Sequence, residues 1–258
     1  MSIFQVDMLT GLNKVETAIA LLKACEPPDG YYGAFSGGKD SCVIKHLTQQ
    51  AGVKADWHYC VSPIDPKEIH DFIKQYHPDV QWDYHARGFF KKVLTNGLPT
   101  RRRRWCCRLI KEAGGNARVK ILGMRHAEST TRKLYKCFET PKHKDSASVW
   151  VMPILHWSGG EVWEYIGIHN IKVCSLYAEG FERIGCVLCP FLSRKLTAMQ
   201  LIRFPKLAKA WYLAAVRYFY KRIERGTPLP FSNPDEYWLW WISRDAKRRD
   251  KRQGEMIA

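Results

Sequence analysis

The stretch that decides the fold is "YYGAFSGGKDSCVIKHL", from Tyr31 to Leu47. Its first part, "YYGAF", is typical of a short buried strand, and "SCVIKHLTQQAG" predicts a helix that ends at Gly52. The residues between strand and helix are Ser36, Gly37, Gly38, Lys39, Asp40 and Ser41. Backbone N–H groups and the helix dipole at a helix N-terminus favour an anion. We therefore predict a phosphate-binding loop at this position.

The side chains of the loop suit this role. Gly37 and Gly38 let the backbone approach a phosphate without a Cβ atom in the way. Lys39 adds a positive charge, and Ser36 and Ser41 offer hydroxyl donors. Asp40 fits beside phosphates if Mg²⁺ is present or if its carboxylate orients the loop. The spacing differs from the Walker pattern, which has four residues between its first glycine and Gly-Lys.

The chain around this loop alternates between strand and helix patterns. Helical spacing of apolar residues predicts an amphipathic helix over Met8–Cys25. Further strands are predicted at "ADWHYCV", "VQWDYH" and "VKILGMR", with a helix at "DPKEIHDFIKQYH". This order predicts an α/β fold with an open, mostly parallel sheet and helices on both faces. Ligands of such sheets bind outside the carboxyl ends of the strands.

The character of the sequence changes at Arg194. From there it is helical, rich in aromatic residues and basic at its end. We predict an α/β domain over residues 1–193 and a helical extension, packed on it, over residues 194–258, because about 65 residues alone make a marginal core. The aromatic residues are expected to form core rather than base-stacking platforms.

The net charge of +16 on 258 residues favours a polyanionic partner, either nucleic acid or nucleotide. The positive charge is clustered at Thr100–Trp105 ("TRRRRW") and Ser243–Arg252 ("SRDAKRRDKR"). The arginines of the first cluster suit either substrate contact or a solvated loop. No apolar run approaches the roughly 20 residues of a membrane-spanning helix, and the start lacks a secretory signal. We expect a cytoplasmic protein without a membrane partner.

Four of the nine cysteines form two pairs that predict a metal centre. The pairs are Cys106 with Cys107, and Cys186 with Cys189. Two thiolate pairs supply four soft ligands to one tetrahedral centre, and both zinc and a 4Fe–4S cluster fit on chemistry alone. The alternative is four reduced cysteines without metal.

Three segments resemble known proteins. "SGGKDS" resembles the pyrophosphate loop of the N-type ATP pyrophosphatases, which have an adenine nucleotide alpha-hydrolase-like fold. "GMRHAESTTR", Gly123–Arg132, resembles the phosphoadenosine phosphosulfate (PAPS) reductase-like branch, as does the later run with its "LY" turn and its "GC" before the second cysteine pair. The resemblance covers roughly residues 30–190. It implies that the nucleotide is bound by Ser36–Ser41 together with Gly123, Arg125, Glu128 and Arg132. It implies catalytic roles for Lys39, Asp40, Ser41 and Arg125.

The resemblance also implies a cofactor and a reaction. The same arrangement of cysteines marks the iron–sulfur members of the family, which favours a 4Fe–4S cluster over zinc. Reductases of the family carry a catalytic cysteine in a C-terminal tail, whereas this sequence has no cysteine after Cys189. We therefore expect an ATP pyrophosphatase that adenylates a substrate oxygen with the help of Mg²⁺, for sulfur transfer.

Similar members without the reductase tail act in bacterial DNA phosphorothioation, in the Dnd and Ssp systems. That similarity implies DNA as a partner, along with a cysteine desulfurase as the sulfur donor and other proteins of sulfur modification. Three alternatives remain open. They are a PAPS or adenosine phosphosulfate (APS) reductase that borrows its nucleophile, a tRNA thiolation enzyme, and a nucleotide-sensing module without turnover.

Overall fold

The computed structural model describes residues 2–140 and 148–243, and the chain divides into two units. The first unit comprises Met1–Val61, Lys67–Tyr84 and Ala113–Gly185. The second unit comprises Ser62–Pro66, His85–Glu112 and Cys186–Ala258. The predicted boundary between residues 193 and 194 cuts the chain once, whereas these units interleave along it. An autonomous domain over residues 1–193 stays a prediction.

A six-stranded sheet forms the centre of the first unit. Its strands are β1 Tyr31–Ala34, β2 Ala55–Cys60, β3 Gln81–Asp83, β4 Val119–Ile121, β5 Phe138–Glu139 and β6 Val149–Val151. They lie in the order β3-β2-β1-β4-β6-β5. All neighbours pair in parallel except β5, which runs antiparallel to β6 at the edge. The predicted α/β class with a mostly parallel sheet is confirmed, and β5 and β6 add strands that the sequence patterns did not predict.

Helices connect these strands and continue after the sheet. In chain order they are α1 Lys14–Ala24, α2 Lys39–Ala51, α3 Lys67–Tyr76, α4 Phe89–Asn96, α5 Trp105–Ile110, α6 Gly159–Ile168, α7 Arg194–Arg203, α8 Pro205–Glu224 and α9 Pro234–Ser243. In the first unit, α2 contacts both α1 and α6. The last three helices confirm the predicted helical region after residue 193. Among the described residues, no helix has both the length and the apolar character that crossing a bilayer requires.

The predicted first helix, Met8–Cys25, is wrong in its first third, over residues 8–13. Helix α1 begins only after Asn13, whose side chain accepts hydrogen bonds from the N–H groups of the first turn, while the Glu16 side chain bonds back to the Asn13 N–H. Before it, the Asp7 carboxylate accepts the N–H of Leu9 at 2.9 Å and so stabilises a turn. These local side-chain bonds compete successfully with the helix that the apolar spacing suggested.

The helices of the second unit enclose an aromatic core. Trp211 on α8 and Trp241 on α9 are fully buried, with ring centres 5.0 Å apart, and Phe89 on α4 lies 5.4 Å from Trp211. Both indole N–H groups are satisfied, since Trp211 donates to the carbonyl of Val187 and Trp241 to that of Pro99. The interpretation of these aromatic residues as core is therefore confirmed for the described part of the region.

Candidate functional site

The loops that follow β1 and β4 meet at one point of the first unit. In the order β3-β2-β1-β4, the connections reverse direction between β1 and β4, which is where open α/β sheets form a ligand crevice. The first loop leads from β1 into α2, and the second begins after β4. A Cβ atom on Gly123 would lie 3.2 Å from the backbone carbonyl of Asp40. Glycine at this position therefore lets the two loops touch.

The loop before α2 closes on itself through its serines. Ser41 Oγ donates to the Gly38 carbonyl at 2.7 Å and accepts from the Ser36 N–H at 3.3 Å. Gly37 has a φ of +71°, and a Cβ atom there would lie 2.9 Å from the Ile69 side chain. Gly38 is the N-cap of α2 and has no side chain to cover the first turn of the helix. The loop thus presents backbone donors at a helix N-terminus, as an oxyanion site requires.

Asp40 connects two buried cations. Its Oδ1 accepts a hydrogen bond from Arg125 Nε at 2.6 Å, and its Oδ2 accepts one from Lys39 Nζ at 3.1 Å. The exposed fraction is only 7% for Lys39 and 5% for Arg125. Both carboxylate oxygens are therefore engaged in fixing the positions of the cations. Of the two roles that the sequence leaves open for Asp40, this geometry corresponds to orientation of the loop.

Glu128 and Arg132 extend the same cluster. Glu128 accepts the backbone N–H of Arg125 at 3.2 Å and forms an ion pair with the guanidinium of Arg132. Burial lowers the pKa of Arg132, and the positive charge of nearby Arg183 lowers it further. The structure thus brings all of the sequence-predicted nucleotide residues together in the first unit. With Lys39, the three arginines outnumber the two carboxylates of the cluster, which leaves a surplus of two positive charges.

Tyr177 is a further member of the site to which the sequence analysis gave no role. Its hydroxyl accepts the backbone N–H of Lys39 at 2.9 Å, and the Lys39 ammonium lies 5.7 Å from the centre of its ring. Trp163 holds the ring edge to face at 5.2 Å. Burial raises the pKa of Tyr177, so the phenol stays protonated. The only signal in the sequence was the "LY" turn within the resembling segment.

The four paired cysteines lie in the second unit. Cys106 and Cys107 are neighbours on α5, and Cys186 and Cys189 belong to one turn ahead of α7. A hydrogen bond donated by the Cys106 thiol to Cys107, followed by burial and by the proximity of the other sulfur atoms, raises the pKa of Cys106. Each of the other three sulfurs contributes to that effect. The structure therefore brings the two pairs close enough to interact electrostatically.

Cationic neighbours favour the thiolate form of Cys107, whereas burial raises the pKa of Cys186. The hydrogen bond with Cys106 lowers the pKa of Cys107, and the charges of Arg104 and Lys111 lower it further. Metal ions bind cysteine as thiolate, so these cations assist coordination. Four cysteine sulfurs with positive neighbours match, by donor type, the four-thiolate set that zinc and iron–sulfur clusters share.

Two arginines of the basic stretch support the second cysteine pair. Arg101 donates from Nε to the carbonyl of Pro190 at 3.1 Å, and the Arg104 guanidinium lies 5.2 Å from the ring centre of Phe191. Both contacts fix the chain directly after Cys189. The other predicted basic segment lies outside the described residues from position 244 onward.

The fold and the loop define an α/β protein with a glycine-containing loop before α2, at the reversal point of a mostly parallel sheet. The model of the phosphoadenosine phosphosulfate reductase domain matches residues 31–192. This chain belongs to that family. The family assignment made from the sequence is thereby confirmed, whereas membership of a phosphorothioation system stays a prediction.

The individual relatives have low sequence identity to this chain. An uncharacterized protein of Methanocaldococcus jannaschii is 29% identical over 202 residues, which cover 74% of this chain and 49% of the relative. A second uncharacterized protein from the same organism is 32% identical over 197 residues, which cover 69% of this chain and 40% of the relative. This chain therefore spans half or less of the length of these relatives. The adenosine 5'-phosphosulfate reductase of Bacillus cereus is 27% identical, covering 60% of this chain and 71% of the reductase.

A solved structure agrees with the fold. The phosphoadenylyl-sulfate reductase from Candida auris, determined as a phosphate complex, superposes with a TM-score of 0.50 at 17% sequence identity. The match covers 69% of this chain and 90% of that protein. At this identity the likeness concerns the fold alone.

Proposed function

We propose that the first unit binds ATP at Ser36–Ser41 and cleaves it between the α- and β-phosphates, which adenylates an oxygen of a second substrate. The observation that supports this is the surplus of two positive charges around a loop of backbone donors. A pyrophosphate leaving group carries more charge than a single phosphate or sulfate ester. Donors aimed at the charge that develops on a leaving group lower the barrier to its departure.

In the proposed step, a substrate oxygen attacks the α-phosphorus of ATP. The bond from this phosphorus to the bridging oxygen breaks, and pyrophosphate leaves with the electron pair. Lys39 and the N–H groups at the start of α2 stabilise the pyrophosphate, while Arg125, positioned by Asp40, stabilises the α-phosphate. Both oxygens of Asp40 are engaged with Arg125 and Lys39, so Asp40 would hold these two cations in place, and Mg²⁺ would neutralise charge on the phosphates when the nucleotide is bound.

Sulfur transfer follows from the adenylated intermediate. Hydrosulfide, released from a cysteine persulfide by a thiol reductant, attacks the activated centre, and AMP leaves with the electron pair of the bond to oxygen. We propose DNA as the acceptor, with a cysteine desulfurase as the source of the persulfide. The strongly basic character of the chain supports a nucleic-acid acceptor.

For the four cysteines we propose a 4Fe–4S cluster, with zinc as the alternative. Cys106, Cys107, Cys186 and Cys189 would hold it, and when bound it would supply iron that can accept sulfur ligands. Anaerobic purification followed by iron, sulfide and zinc analysis tests the proposal. Protein that contains zinc and no iron under these conditions contradicts it.

Pyrophosphate release is the test of the proposed reaction. We expect release from ATP in the presence of Mg²⁺ and an acceptor oligonucleotide, and its loss in Lys39→Ala. The matched control is Lys67→Ala, which removes the same charge from an exposed position on α3. A Lys39→Ala variant that is folded and fully active contradicts the assignment of the loop.

A second candidate is reduction of a sulfonucleotide, which the relationship to the Bacillus cereus adenosine 5'-phosphosulfate reductase favours. In that reaction a thiolate attacks the sulfur of the substrate, and sulfite is the final product. Incubation with APS or PAPS and a thiol donor, followed by sulfite detection, separates the two functions. Sulfite formation without pyrophosphate release from ATP would replace the first proposal with the second.

A further inference from the structure

Helices α4 and α8 of the second unit form an open groove between them. It is lined by Phe90, Lys91, Leu94, Ala210, Leu213 and Arg217. The floor is apolar, and Leu213 is 42% exposed there. A cation stands on each side, with Lys91 on α4 and Arg217 on α8. The groove therefore combines an accessible apolar surface with positive charge on both walls.

The positive charge continues along α8. Lys206 and Lys209 are exposed on this helix before Arg217, and with a rise of about 1.5 Å per residue the three cations extend over about 16 Å. Helix α4 contains no acidic residue, and α8 has one, Glu224, at its last position. Neither these three cations nor Lys91 pairs with a carboxylate among the described residues. Their charge is thus available to an anionic partner.

We propose that this groove binds single-stranded nucleic acid. Lys91 and Arg217 would contact phosphates from opposite walls, and Lys206 and Lys209 would follow the backbone along α8. The apolar floor would take the faces of unpaired bases or sugars, which a duplex keeps inside its stack. A cationic channel with apolar or aromatic contact surface is the common design of single-strand sites. The inference rests on the nucleic-acid acceptor of the proposed function and names the surface that holds it.

The net charge of the whole chain favours nucleic acid over an acidic peptide as the occupant. The +16 surplus gives any polyanion a long-range attraction, whereas a peptide with a few carboxylates gains much less from it. The exposed arginines of residues 101–104 belong to the same unit and add to this field. An acidic amphipathic peptide is the competing occupant, and the experiment includes it.

The test is binding of a fluorescein-labelled 20-nucleotide single-stranded DNA at several salt concentrations. Wild-type protein is compared with Lys91→Glu/Arg217→Glu and with the control Lys23→Glu/Lys172→Glu, whose lysines are exposed in the first unit. Loss of two phosphate contacts should reduce the slope of log affinity against log salt by about 1.4. We expect the groove variant to bind at least tenfold more weakly at low salt, and the control to keep the slope of the wild-type protein.

A further variant separates charge from apolar contact. Leu213→Ala should weaken binding severalfold without a change in the salt slope, and circular dichroism melting verifies that each variant folds. The proposal is overturned if the groove and control double variants lose affinity and slope equally. It is also overturned if duplex DNA displaces the labelled strand better than single-stranded DNA does. A groove variant that loses affinity for an acidic amphipathic peptide, but not for DNA, overturns it as well.

Failure of this inference and failure of the proposed function give different results. The groove variants leave the phosphate loop intact, so we expect them to keep the ATP affinity of the wild-type protein, measured without an acceptor. Salt-dependent binding in the groove without any pyrophosphate release from the wild-type protein contradicts the proposed function alone. Pyrophosphate release with no effect of the groove variants on DNA affinity contradicts the groove alone.

Discussion

Asp40→Asn tests the arrangement of charge in the phosphate loop. The substitution keeps the shape of the side chain and removes the negative charge between Lys39 and Arg125, which are both buried. Removing one partner of a buried ion pair costs about 3–5 kcal/mol. Because the Asp40 side chain is 18% exposed, we expect the low end, about 3 kcal/mol of unfolding free energy. For a chain of this size that corresponds to a decrease of about 6–12 °C in Tm.

Thermal and urea unfolding measure this loss, with and without pyrophosphate. Added pyrophosphate should raise the Tm of Asp40→Asn more than that of the wild-type protein, because the anion replaces the missing negative charge. The matched control is Asp71→Asn, which breaks the exposed pair with Lys67. Such surface pairs contribute at most about 1 kcal/mol, so the control should retain nearly all stability.

Two results would refute the orienting role of Asp40. One is an Asp40→Asn protein as stable as the control. The other is normal stability combined with loss of Mg²⁺-dependent nucleotide binding only, which would make Asp40 a metal ligand. The second outcome corresponds to the metal-binding role, which the sequence leaves open for Asp40.

Three further predictions concern other parts of the molecule. Gly123→Ala adds a Cβ atom 3.2 Å from the Asp40 carbonyl, so nucleotide affinity should fall about tenfold in a titration if the loops separate by a few tenths of an ångström. Burial and Lys45 lower the pKa of His77 to about 4, so the folded state loses stability as the pH falls from about 6.5 to 4, where the unfolded chain takes up a proton first. In His77→Phe this part of the pH dependence should disappear from urea titrations. Cys189→Ser should abolish iron binding in anaerobically reconstituted protein, and unchanged iron content would contradict the four-thiolate centre.

The centre of the fold could be predicted because its signals are local. An apolar run followed by glycines and then a helix pattern specifies β1, the loop and α2, and Gly52 ends the helix as predicted. Strands β5 and β6 have two and three residues, too few for a pattern to show. The start of α1 was missed because the Asn13 cap and the Asp7 turn depend on individual hydrogen bonds rather than on periodicity.

The candidate site also contains features that local sequence signals predict and features that they do not. Residues within motifs were found from the sequence, since a motif gives their chemistry and spacing together. The engagement of both Asp40 oxygens was not found, because Arg125 is 85 positions away and only the meeting of β1 and β4 brings it there. Tyr177 is 138 positions from Lys39, and no rule of spacing connects a phenol with a distant backbone N–H.

The contact between Tyr177 and Lys39 has a consequence for selectivity. A ligand oxygen that accepts a hydrogen bond from the Lys39 N–H must replace the Tyr177 hydroxyl. The gain in binding free energy is therefore the difference between the free energies of the two hydrogen bonds. For a neutral ligand that difference is close to zero. For an ionised phosphate it is favourable, because charge-assisted hydrogen bonds are roughly twice as strong as neutral ones. The hydroxyl therefore competes with every ligand for this N–H, and the loop favours anions over sugars or alcohols.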